Sequence, residues 1–101
     1  ALTADLALEW LSEAPTTEVI DIACLPLFRY LNDADDVIRR LANSDTPLHR
    51  YAAIRLGANI LPSHIDLIEE TARREFDRRH PMTMTACHML LDDITWRREE
   101  Q

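Results

Sequence analysis

The residues of this chain best suited to chemistry are four histidines, two cysteines and several neighbouring carboxylates. His80, Cys87 and His88, with His49 or His64 as a fourth donor, are the candidate metal ligands, because imidazole and thiolate together form a common donor set for zinc. Their spacing argues against that use. No pair among them falls at i, i+4, the separation that sets two donors on one helix face, and the adjacent Cys87 and His88 point about 100° apart around a helix. Asp92 and Asp93 meet the same obstacle as paired carboxylates: neighbours in sequence, they diverge around a helix and read as solvated surface. The chain holds no Gly-rich phosphate loop, G-x-S-x-G, C-x-x-C or H-E-x-x-H. The expectation is a protein without catalytic residues, resident metal or cofactor.

Charge is distributed more informatively. All 11 basic residues are Arg, which reads as compositional bias. Residues 1–36 carry eight acids against Arg29 alone, whereas residues 37–101 carry ten acids and ten Arg, so the whole net charge of -7 sits in the first third. Such a field repels nucleic-acid phosphates and favours a basic protein surface. Glu69 to Arg73, Glu70 to Arg74 and Glu75 to Arg79 stand in the favourable i, i+4 order, so the arginines ending at His80 are neutralised by their own helix and do not form a phosphate clamp. No nucleic-acid partner is expected. Cys24 and Cys87 lie too far apart in sequence to suggest a disulfide framework, which points to a reducing, cytoplasmic compartment. The longest apolar runs fall far short of the roughly 20 residues that cross a bilayer, and no basic leader precedes one, so no membrane association is expected.

The elements that must position these groups are helices. With 101 residues, 47% of them hydrophobic, the chain has room for one domain over 1–101 with a small core. One Gly and five scattered Pro argue against the frequent turns of a β-rich fold. A first helix starts after Thr3 and carries Leu6, Leu8, Trp10 and Leu11 until Pro15 stops it. A second follows Thr16 and Thr17, with Val19, Ile20, Ile22, Ala23, Leu27 and Tyr30 inward and a kink or split near Cys24 and Leu25 imposed by Pro26. A short third helix, about 34 to 43, has Asp33, Asp35 and Asp36 at its positive end. Thr46 and Pro47 open a fourth that Gly57 closes. Pro62 and Ser63 open a fifth, with Ser63 and Asp66 as a capping pair, running to about Arg79. Pro81 starts a sixth, to about Arg98.

Sliding the chain against itself by 34 residues superposes Asp35, Asp36, Arg39, Arg40, Pro47 and Ala52 on Glu69, Glu70, Arg73, Arg74, Pro81 and Ala86. That predicts two helical hairpins of one design, an acidic-then-basic helix leading into a Pro-initiated helix, with a divergent first pair. The stretch Asp45-Thr46-Pro47-Leu48-His49-Arg50-Tyr51-Ala52-Ala53-Ile54-Arg55-Leu56-Gly57 resembles the second helix of a HEAT or HEAT-like repeat, and Pro81 to Leu91 is a partial copy. The resemblance implies an α-α stack that binds proteins or, less often, nucleic acid through one helical face, and implies no catalytic residues.

These readings converge on an all-α chain of about six helices in three stacked antiparallel hairpins, as a short HEAT-like array or a compact bundle. The expected function is a non-catalytic protein-interaction module, an adaptor or regulatory subunit, with the acidic first third and the exposed face of the second and fourth helices as contact region. Asp33, Asp35, Asp36, Arg39, Arg40 and Arg50 are the expected partner-binding residues, the acids by complementarity to a basic surface and the arginines by contacts to carboxylates. An acidic inhibitor or immunity-type protein that blocks a basic site stands as the alternative, and a small helical enzyme comes last. Trp10 and Trp96 are read as packing residues that become interface anchors if exposed.

Overall fold

The computed structural model describes residues 3–31 and 33–100, with side chains of the second helix described up to Cys24. Six α-helices and one 3-10 turn make up the fold: α1 (Ala4–Glu13), α2 (Thr17–Tyr30), α3 (Ala34–Ala42), α4 (Pro47–Ile60), the turn Leu61–Ser63, α5 (Ile65–Arg78) and α6 (Pro81–Glu99). The all-α class follows from the sequence.

The helix starts follow local chemistry. The Thr3, Thr16 and Asp33 side chains accept the backbone N–H of Leu6, Val19 and Asp36, each at 3.3 Å, meeting donors that a first turn leaves unpaired. Pro47 and Pro81 occupy first-turn positions, where the missing N–H costs nothing. Before α6, His80 acts as the cap: its Nδ1 accepts the Met82 N–H at 3.1 Å.

Several expectations need correction. Pro26 does not split α2, which is one element from Thr17 to Tyr30; the expected inward positions Leu27 and Tyr30 lie outside the described side chains. Gly57 does not end α4. It sits buried inside that helix, and a Cβ built there would stand 3.3 Å from Ile68 Cγ2, so its role is the close approach of α4 to α5. The turn at Leu61–Ser63 precedes α5, whose cap position is His64, so Ser63 and Asp66 form no capping pair. Arg79 ends α5 in the left-handed region at φ 54, taking the place Gly usually fills. Val19 and Ile22, expected inside, are exposed, as are Leu6 and Trp10 on α1; Ala7, Leu11, Ile20 and Cys24 are buried.

Packing follows the chain in two interleaved rows. α3 pairs with α4 and α5 with α6, while α2, α4 and α6 lie side by side in one row and α1, α3 and α5 in the other; α1 and α2 touch each other only lightly. α4 is the hub. Residues Arg50 to Ile54, Leu56 and Gly57 are all buried, because helices lie against it on most sides. The core gathers Leu11, Ile20, Val37, Ile38, Leu41, Ile54, Leu56, Leu61, Ile68, Leu90 and Ile94 around it. At roughly 25 cal/mol per Å² of apolar surface removed from water, side chains of this size contribute about 1.5–3 kcal/mol each on full burial.

Candidate interaction face

Of the six residues expected to bind a partner, five lie on α3 and its cap, and the sixth, Arg50, is buried. Asp33 is spent on capping α3. Asp35 Oδ1 lies 2.6 Å from His64 Nδ1, tying α3 to the start of α5. Asp36 Oδ2 pairs with Arg40 Nε at 3.1 Å, and Arg40 Nη1 also reaches Asp5 Oδ1 on α1 at 3.1 Å. Arg39 is exposed and makes no ion pair among the described residues. Arg50 is a correction: it is 5% exposed, with Nε 2.9 Å from Glu75 Oε1 and Nη1 donating to the Ser44 carbonyl at 3.0 Å. Its expected carboxylate partner is therefore inside the chain. Thr83 Oγ1 donates to the other Glu75 oxygen at 2.8 Å, so one buried carboxylate joins α4, α5 and α6.

Half of the eight acids in the first third are held by cations or an imidazole of the chain itself. Besides Asp5, Asp35 and Asp36, Asp21 on α2 accepts the Tyr51 hydroxyl at 2.8 Å and pairs with Arg55 Nε at 2.8 Å, both on α4. Burial and the Asp21 carboxylate push the Tyr51 phenol up to about 12. Glu9, Glu13 and Glu18 remain exposed without an ion pair among the described residues.

The candidate metal ligands are dispersed and separately occupied. His49 Nδ1 meets Ser44 Oγ at 2.9 Å, His64 meets Asp35, His80 caps α6 and His88 lies 3.4 Å from Asp92. Cys24 and Cys87 are buried free thiols, which burial pushes up to about 12. Among the described residues no three His, Cys, Asp or Glu side chains stand together as a metal site, and no helix is long and apolar enough to cross a membrane.

What the structure does assemble is an apolar stripe along the exposed side of α6, beside a groove against α4. Along α6, Thr83, Cys87, Leu90 and Ile94 are buried, while Met82, Met89 and Trp96 recur every seven residues on another side of the same helix and are exposed, Met89 and Trp96 by 61% each. Between α4 and α6 an open groove of about 270 Å³ is lined by Ile54, Arg55, Ala58, Ala86, Met89, Leu90 and Asp93. Beyond it, Trp96 borders a second hollow with Pro62, Ile65, Arg97 and Glu100. On the α2 flank Ile22 is 71% exposed. Carboxylates outnumber cations along this face, and its arginines are engaged: Arg55 with Asp21, and Arg97 with Asp93 at 3.3 Å.

Sequence reasoning missed the methionines. Their seven-residue spacing with Trp96 was visible, but α6 carries two apolar stripes, and periodicity does not say which one neighbouring helices cover. Against known protein families, curated proteins and solved structures, the chain finds no match.

Proposed function

We propose that this chain is a non-catalytic protein-interaction module, an adaptor or regulatory subunit, that engages a partner with a basic surface through the exposed side of α6 and its groove against α4. The observation that carries this reading is the exposed apolar stripe Met82, Met89 and Trp96 along α6, beside the α4–α6 groove, with Ile22 a further exposed apolar side chain on α2. Exposed aromatic and methionine side chains in an acidic frame are the composition of a contact surface and costly to leave bare in water. The alternative, an acid-rich inhibitor built on the first third, has less support: Asp5, Asp21, Asp35 and Asp36 already have partners within the fold.

A photo-crosslinking amino acid placed singly at Met89 and at Ile22, in cells of the source, tests the reading. Both positions are expected to capture the same basic protein, less efficiently at high salt, while the same probe at exposed Glu70 on α5 captures none. Equal capture from position 70, or none from 89 and 22, overturns the proposal.

A further inference from the structure

We infer that the α4–α6 groove seats a single amphipathic helix with a basic polar face, supplied by a partner; this rests on the protein-binding reading above and gives it a mode. Shape comes first. The groove lies between two helices whose facing residues are small, Ala58 on α4 and Ala86 on α6, with Ile54 and Leu90 beneath and Met89 at the edge. Its α6 wall runs from Ala86 to Asp93 and its α4 wall from Ile54 to Ala58, so the groove is about 10 Å long at 1.5 Å per residue. That length takes about two helical turns, whose side chains at i, i+3, i+4 and i+7 form one apolar line.

Charge selects the polar face of that helix. Around the exposed stripe of α6 stand Asp92, Asp93, Glu99 and Glu100, and the nearby Arg97 is already paired with Asp93. On the other wall Arg55 is paired with Asp21. Asp92 touches only the His88 ring, at 3.4 Å, and Glu99 and Glu100 have no arginine among the described residues. An incoming Lys or Arg gains an unengaged carboxylate, whereas an incoming Glu adds like charge to the rim. The same rim disfavours a second copy of this chain, since two such faces brought together oppose acid to acid. Met82 and Met89 let the strip reshape around different apolar side chains, and Trp96 offers a large anchor at its end.

The test uses a fluorescein-labelled Leu/Lys peptide with leucine at i, i+3, i+4 and i+7, the same composition scrambled, and a Leu/Glu counterpart. Anisotropy and far-UV circular dichroism are read on the full chain and on variants checked for unchanged melting. The Leu/Lys peptide is expected to bind one per chain and gain helicity. Ala58→Arg, which fills the groove, and Met89→Ser, at an exposed position where folding is safe, each weaken binding by about tenfold. Asp92→Ser with Asp93→Ser flattens the salt dependence, and Glu70→Ser changes nothing. Equal binding of the scrambled or Leu/Glu peptide, indifference to both Ala58→Arg and Met89→Ser, or a dimer by sedimentation that Ala58→Arg dissolves would overturn the inference. If crosslinks from positions 89 and 22 persist while the peptide fails, the helix mode falls and the binding face stands; if both fail, both fall.

Discussion

Removing the Glu75 carboxylate should be the most damaging single change in this protein short of gutting the core. Arg50 and Glu75 side chains are 6% and 5% exposed and 2.9 Å apart. In Glu75→Ala the guanidinium keeps one protein acceptor, the Ser44 carbonyl at 3.0 Å, and Thr83 falls back on the His80 carbonyl, 3.4 Å away. Arg78 loses a weaker contact at 3.7 Å. A charge buried without its partner costs about 3–5 kcal/mol, out of a total of about 5–15 kcal/mol for a domain of this size. Replacing both partners by apolar groups of similar volume avoids that penalty and is often neutral or stabilising by about 1–4 kcal/mol. Arg50→Met with Glu75→Leu is therefore expected within about 1 kcal/mol of the parent, or above it, although each half alone is strongly destabilising. Urea unfolding followed by circular dichroism at pH 7 reads all four corners of the cycle. Should Glu75→Ala fail to fold, recovery in the double variant still reports the coupling. A loss under about 1 kcal/mol for Glu75→Ala, or a double variant as poor as the sum of the singles, would refute the reasoning.

Three further outcomes follow from the packing and the protonation of buried groups. Gly57→Ala gains about 1 kcal/mol of helix propensity but sets a Cβ 3.3 Å from Ile68 Cγ2, so its unfolding midpoint should hardly move; Gly57→Leu should cost about 3 kcal/mol by overpacking, and an unperturbed Leu variant would contradict the close α4–α5 approach. Cys24, Cys87 and Tyr51 all have folded pKa values raised to about 12 by burial. The folded state therefore holds these protons longer than the unfolded chain, and their stabilising contribution is complete below the unfolded thiol value of about 8.5 and lost as pH rises towards 12. Urea midpoints should decline over that range, less steeply in Cys24→Ala and Cys87→Ala, and a flat profile would count against the burial. Trp10 and Trp96, 52% and 61% exposed, should both be quenched by acrylamide in the folded state; a protected tryptophan would show that its helix face is covered.

The sequence made helix existence and most boundaries legible because capping chemistry is local. Thr3, Asp33, Pro47 and Pro81 act within one turn of themselves, and each lies at a helix start. Gly57 shows the complementary limit: a glycine marks either a helix end or a close neighbour, and Ile68, the neighbour that decides, comes from another helix. Arg50 shows the same limit. Nothing local distinguishes an arginine aimed at solvent from one aimed at Glu75, 25 positions later. The acid excess of the first third was real as composition, but Arg40, Arg55 and His64 arrive from later helices to meet much of it.

The sixth helix carries the functional reading because it is apolar on two sides and the fold covers only one. Thr83, Cys87, Leu90 and Ile94 are sealed against the core, and no described element covers Met89 or Trp96. Hydrophobic burial is non-directional, so apolar surface alone would accept any greasy partner. Selectivity has to come from the rim, where Asp92, Glu99 and Glu100 pair with no arginine among the described residues while Arg55 and Arg97 are already engaged. A partner that brings cations beside its apolar line relieves both deficits in one contact. One that brings only apolar surface leaves these carboxylates partly desolvated and unpaired, a cost that grows with the closeness of the fit.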